Sequence, residues 1–212
     1  IGLGEERLWE ALLEFPSIQF GLETAFRSLE AETPYLLFPS AFTKGEEDIA
    51  INGLVWMGEE AYMKQQIGEK LEQGFNCIKL KIGAIDFEKE LGLLRFIRSN
   101  FSAEEIEIRV DANGAFAENE ALSKLDQLSS FQLHSIEQPI SAGYWDWMQK
   151  ISSESPIDIA LDEELIGLNV YEEADKMIKH IKPTYLILKP NLIGGLSLSD
   201  VWIRFAQKNN VG

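Results

Sequence analysis

A single cysteine among 212 residues rules out an internal disulfide and the small disulfide-stapled folds that depend on one. Cys77 opens an apolar run and has no evident activating neighbour, so a buried, inert thiol in a reducing compartment is expected. Cations are also scarce, with 19 Lys and Arg against 35 Asp and Glu and a formal charge of −16. That balance repels a polyphosphate backbone, so no nucleic acid and no anionic membrane is expected as a partner. No apolar run approaches the ~20 residues of a membrane span. Residues 1 to 15 lack the cationic start and apolar stretch of a signal peptide, and the expected setting is cytoplasmic. No G-x-G-x-x-G follows the first expected strand, which counts against a dinucleotide-binding sheet. The sequence carries no signal of oligomeric state.

What is present is an ordinary globular composition, 45% hydrophobic and 25% charged, enough for one substantial core. Residues 5 to 31 read as helical with an interruption at Phe15-Pro16-Ser17, and Ser17 is expected to cap the second helix. A looser stretch with Pro34, Pro39 and Gly45 follows. From residue 49 short apolar runs alternate with amphipathic stretches. Strands are expected in IAINGLVWM, CIKLKIG, IEIRVDA, LHSIEQP, DIALDEE and YLILKP, and helices over 59–73, 86–99, 118–129, 144–151, 170–180 and 197–208. Six strand–helix units in succession imply parallel strands in an α/β fold, either an open doubly wound sheet or a (β/α) barrel.

The strand faces decide between the two. In CIKLKIG, alternation puts Ile78, Leu80 and Ile82 on one face and Lys79 and Lys81 on the other. In IEIRVDA, Ile106, Ile108 and Val110 oppose Glu107, Arg109 and Asp111. Ile157, Ile159 and Leu161 likewise oppose Asp158, Ala160 and Asp162, while Ile136 is set against Glu137, and Leu186 and Leu188 against Lys189. A strand covered by helices on both faces should be apolar throughout. A barrel accepts charges on its inner face, and its active site lies at the C-terminal mouth. Lys81, Asp111, Glu137, Asp162 and Lys189 all fall at or near expected C-terminal strand ends.

In an eight-stranded ring, strands 2 and 6 stand opposite, so Lys81 and Lys189 are expected to face one another with the three carboxylates along the arc between them. Carboxylates so placed repel one another unless a hard divalent cation lies among them, and Mg2+ is the natural filling. A partly desolvated lysine beside a cation loses its proton more readily and can act as a base. The chemistry expected is proton abstraction α to a carboxylate of a small-molecule substrate, with the metal stabilising the enediolate.

The motifs KLK at 79–81, DAN at 111–113, EQP at 137–139, DEE at 162–164 and LKP at 188–190 together resemble the enolase superfamily, in its muconate-lactonising subgroup. The resemblance implies a (β/α) barrel of that type, with Mg2+ held by Asp111, Glu137 and Asp162 and with catalytic lysines Lys81 and Lys189 on opposite faces of the substrate. Lys81 would take the α-proton and Lys189 would stay charged. Lys79 would tune Lys81, touch a metal-bound carboxylate, or simply pair with a neighbouring acid. Arg109 and Asn113 would orient the ligating carboxylates. Gly194 and Gly195 would let the backbone approach substrate, or merely form a turn. The stretches FPSAF, INGLVWMG, ALDEEL and LKPNLIGGL look most like members that dehydrate a succinyl-hydroxycyclohexadiene carboxylate to an aromatic acid in menaquinone biosynthesis. Epimerisation of dipeptides and racemisation of N-acylamino acids by the same five residues are the alternatives, as is a non-catalytic fragment. On this resemblance residues 1–48 are junction helices and a loop from a capping region, and residues 49–212 form a partial barrel with six of its eight strand–helix units.

Overall fold

The computed structural model describes residues 5–33 and 35–212, and of Glu5 and Glu6 the backbone alone. Ile1 to Gly4 and Pro34, which fall in the expected junction segment, lie outside the described residues. Two helices come first, α1 (Glu5–Ala11) and α2 (Pro16–Glu30). Strands and helices then alternate as β1 (Gly53–Val55), α3 (Glu60–Glu72), β2 (Cys77–Lys81), α4 (Phe87–Arg98), β3 (Glu107–Asp111) and α5 (Ala121–Ser129). They continue as β4 (Ser135–Glu137), α6 (Trp145–Glu154), β5 (Ile159–Leu161), α7 (Val170–Ile181), β6 (Tyr185–Leu186) and α8 (Leu196–Lys208). All six strands join one parallel sheet in the order β1-β2-β3-β4-β5-β6. Among the described residues no helix is long and apolar enough to cross a membrane.

The chain divides into two compact units. One comprises the described residues up to Ala50 with Leu165–Lys176 and Ile187–Asn210; the other comprises Ile51–Glu164, Met177–Leu186 and Val211–Gly212 and holds the whole sheet. In the sheet unit the expected apolar face is buried through Ile78, Leu80, Ile108, Val110, Ile136, Ile159 and Leu161. Helix α4 starts where Asp86 caps it, its carboxylate accepting from the Glu88 N–H at 3.1 Å. Glu90 on the same helix is buried and accepts from the Gly83 N–H at 2.6 Å, which ties down the turn after β2.

Three expectations need correction. Helix α2 starts at Pro16, whose fixed φ suits the first helical position, so Ser17 is not its cap; the Ser17 hydroxyl donates instead to the Asn191 carbonyl at 2.8 Å. Strand β1 is confined to Gly53–Val55, shorter than the apolar run around it. Strand β6 is confined to Tyr185–Leu186, shorter than YLILKP, so Lys189 lies near the strand end but past it.

Candidate active site

Parallel register sets Lys81 opposite Asp111 and Asp111 opposite Glu137, one row across β2, β3 and β4. The three residues end their strands, so the row lies at the C-terminal edge of the sheet. One pleat earlier Lys79 stands opposite Arg109. Side chains of one parity share a face, and the two lysines converge on the carboxylates. Lys81 Nζ lies 2.6 Å from Asp111 Oδ2 and 2.8 Å from Asn113 Oδ1. Lys79 Nζ lies 3.2 Å from Asp111 Oδ2 and donates to Glu137 Oε2.

Asp111 and Glu137 are both buried, and together they divide the protons unequally. Burial by itself would raise the Asp111 pKa, but hydrogen bonds from Lys81 and Glu137 and the charges of both lysines hold it below the ordinary carboxylate value. Glu137 is pushed up to about 7, chiefly by burial and by the neighbouring Asp111, against the opposing pull of Lys79. Burial also works against the Lys79 ammonium, yet Glu137 and Asp111 outweigh it and its pKa rises. Lys79 thus pairs with the two acids expected to hold the metal, a contact common to the pairing reading and to the reading in which it touches a metal-bound carboxylate. Glu137 Oε1 is buried with no hydrogen-bond partner among the described residues.

Asp162 follows the last residue of β5 and is buried. Because Glu137 is opposite Ala160, Asp162 sits one pleat beyond the Lys81–Asp111–Glu137 row, on the same parity as Ala160. Its backbone N–H donates to Gln138 Oε1 at 3.2 Å. Asn113 is brought to the site in a left-handed conformation, φ 44°, with its N–H on Asp111 Oδ1 at 3.0 Å and its amide on Glu163 Oε1 at 2.8 Å. Arg109 reaches back along its own strand to Glu107 at 2.6 Å. Lys189, Gly194 and Gly195 belong to the other unit. There a side chain at Gly195, φ 104°, would collide with Glu23 Oε2, whose carboxylate accepts from the Leu196 N–H at 2.6 Å and the Ser197 N–H at 3.0 Å and so caps α8. That close approach to Glu23 is reason enough for glycine at 195.

Other residues of the site escaped the sequence reading. Trp56, directly after β1, holds its ring over Lys81 with Nζ 5.9 Å from the centroid. Its backbone is clamped by Gln66 of α3, which accepts from the Trp56 N–H and donates to its carbonyl, both at 3.0 Å. Gln138, Glu163 and Glu164 stand inside EQP and DEE, motifs in which the first letter alone is an expected metal ligand.

The donor set suits a hard cation: three carboxylates at or just past adjacent strand ends, one with a buried, unpartnered oxygen. Among the described residues no three His, Cys, Asp or Glu side chains close round one point as they would round a bound ion. At Asp111 and Glu137 the positive charge is supplied by lysine ammonium groups.

Residues 62–212 match the family described as Enolase C-terminal domain-like. The chain belongs to that family. Within this enolase-like family it is 50% identical over 198 residues to an o-succinylbenzoate synthase of Desulfotalea psychrophila, an alignment covering 93% of this chain and 54% of the relative. The crystal structure of MenC from Desulfotalea psychrophila superposes with a TM-score of 0.86 at 48% identity, over 93% of this chain and 55% of that one. A dipeptide epimerase from Cytophaga hutchinsonii, solved as a complex with Mg and the dipeptide D-Ala-L-Val, aligns at 25% identity and TM-score 0.76, over 91% of this chain and 52% of its own. The chain thus spans about half the length of the curated o-succinylbenzoate synthase it matches. A parallel α/β sheet of six strands from an enolase-type barrel is the fold the matches and the topology share.

Proposed function

We propose that the protein is a Mg2+-dependent carbon–oxygen lyase that dehydrates 2-succinyl-6-hydroxy-2,4-cyclohexadiene-1-carboxylate to o-succinylbenzoate, a step of menaquinone biosynthesis. The observation that carries the reading is Lys81, held on Asp111 and Asn113 at the strand ends, in a chain half identical to an o-succinylbenzoate synthase. Asp111, Glu137 and Asp162 are the residues that would hold Mg2+. When bound, the ion supplies Lewis-acid stabilisation to charge developing on the substrate carboxylate.

The chain's own groups account for the proton movements. Lys81 Nζ, as the free amine, takes the proton from the carbon α to the carboxylate, and the C–H electron pair moves into a dianionic enediolate. The same nitrogen, now an ammonium, returns that proton to the departing hydroxyl as the C–O bond breaks. The leaving group departs as water and the ring becomes aromatic. Lys189 acts as a permanent cation toward the enediolate. Asn113 holds Lys81 in place through its 2.8 Å contact, and its own amide is held by Glu163. The Trp56 ring stands over Lys81, with Nζ 5.9 Å from its centroid, and adds a second contact that orients the side chain.

The test is to give the full-length protein the dehydration substrate and a panel of dipeptides and N-acylamino acids, with and without Mg2+. Turnover of the dehydration substrate at least a hundredfold above any epimerisation supports the lyase. The reverse order would make the protein an epimerase or racemase built on the same five residues.

A further inference from the structure

The parallel ladder between β4 and β5 ends at Glu137 and Ala160, where the Gln138 N–H donates to the Ala160 carbonyl at 2.9 Å. Beyond that point no strand holds the two chain segments together, yet Asp162 lies beyond it. Gln138 takes over where the ladder stops. Its side chain is fully buried and uses both ends of its amide. Oε1 accepts from the Asp162 N–H at 3.2 Å and the Glu164 N–H at 3.3 Å. Nε2 donates to the Ile140 carbonyl at 3.0 Å and to Glu164 Oε2 at 3.1 Å. The other oxygen of the buried Glu164 accepts from the Gly143 N–H at 2.7 Å. The Gln138 carbonyl meanwhile accepts from the Gly114 N–H at 2.7 Å, which adds the loop after β3.

Gln138 is therefore a junction of three strand ends, and it adopts φ 40°, in the left-handed region, to reach all of them. Two acceptor sites and two donors on one flat group are properties of an amide. A carboxylate there could not donate, an apolar side chain could do neither, and asparagine is one methylene short. The residue immediately before it is Glu137, and the backbone it grips is that of Asp162.

We propose that Gln138 is a positioning residue that sets the spacing between the Glu137 and Asp162 carboxylates by carrying the β4–β5 pairing past the end of the ladder. The inference rests on the reading of these carboxylates as Mg2+ ligands. Its functional consequence is tight Mg2+ binding, since a small cation of strict octahedral preference tolerates little error in the placing of its oxygens.

The test compares the full-length parent protein with Gln138→Met, which removes the hydrogen bonds at nearly constant volume, and with the reciprocal exchange Gln138→Glu plus Glu164→Gln. The exchange turns the Gln138–Glu164 donor–acceptor pair round and leaves the Asp162 and Glu164 N–H groups an acceptor, while giving up only the bond to the Ile140 carbonyl. Gln138→Met replaces one neutral side chain by another, so its loss of affinity reports placement and not field, whereas the exchange keeps the net charge but moves one carboxylate from position 164 to position 138. Mg2+ binding is read by calorimetric titration, and melting temperature by circular dichroism in chelator. Expected are at least a tenfold loss of Mg2+ affinity in folded Gln138→Met and recovery to within threefold of the parent in the exchange. A brace serving the fold alone would lower the melting temperature of Gln138→Met and leave its Mg2+ affinity at the parental value, which overturns the proposal. Should Gln138→Met not fold, the exchange decides: folded with near-parental affinity it supports the proposal, and folded with affinity lost it overturns it. A parent protein that itself binds no Mg2+ would overturn the metal reading and the proposal together, a result distinct from equal binding by parent and variant.

Discussion

Lys81 Nζ stands 2.6 Å from Asp111 Oδ2, and the two residues are direct partners in the β2–β3 ladder. The amine assigned to proton transfer is thereby fixed by the backbone register of two rigid strands, and its position does not depend on a mobile loop.

The first prediction separates the two lysines proposed to be catalytic. Lys81→Ala should reduce dehydration by roughly 10²–10⁴-fold, the usual worth of a positioned base. Lys189→Arg keeps a cation and should retain measurable turnover, although the bulkier guanidinium lowers it. Dehydration that survives in Lys81→Ala but vanishes in Lys189→Arg would mean the base had been assigned to the wrong lysine.

Metal dependence is the second. Chelation should abolish turnover and Mg2+ should restore it. Glu137→Gln keeps the size of the side chain but removes its charge, and Mg2+ affinity measured by calorimetry should fall at least about tenfold. The variant should still fold, since Gln fills the same buried space. Undiminished turnover of Glu137→Gln in chelator would sink the assignment.

The third concerns the helix cap in the other unit. Burial opposes ionisation of Glu23, but hydrogen bonds from Ser197, Arg27 and the Leu196 N–H outweigh it and hold its pKa below the ordinary 4.5. A depressed carboxyl contributes stability that is fully present above the unfolded pKa and lost as pH falls through the folded one. Glu23→Gln should therefore cost about 1 kcal/mol at neutral pH. The gap in melting temperature between parent and variant should close as the solution is acidified below 4.5. A gap that stays constant with pH would show that the charge contributes nothing.

Thiol reactivity supplies the fourth. Burial, with the Glu107 carboxylate 3.3 Å away, pushes the Cys77 thiol up to about 11. The thiolate is the reactive form, so at pH 8 alkylation of the folded protein should run roughly a hundredfold slower than that of an ordinary thiol. Glu107→Gln removes a nearby negative charge and should speed it. Alkylation by iodoacetamide, followed by mass spectrometry, checks both; a native rate equal to that of free cysteine would contradict the environment described.

How far the sequence reached can be judged from CIKLKIG. A period of two assigns each residue to a face of its own strand, and this required nothing outside the strand. It placed Ile78 and Leu80 in the core and Lys79 and Lys81 on the opposite face, and the same reasoning gave the order and kind of the elements from β1 to α8. Periodicity says nothing of how far one strand is shifted against the next. That shift is set by the packing of the helices between them, and it decided that Lys81, Asp111 and Glu137 share a row while Asp162 lies one pleat beyond.

The same limit hid the residues whose role is to bridge. Gln138 is uncharged and Glu164 is one of three consecutive acids with nothing to single it out, and they matter because β4 and β5 end side by side. Gly195 read as a turn or a substrate approach, but its neighbour is Glu23, 172 positions earlier in the sequence. Composition and alternation determined the class of fold, the charged face and the candidate acids and bases, because those are properties of each segment alone. The tertiary structure decided which acid meets which base, because a contact between strands depends on register and loop closure, and no single segment carries that information.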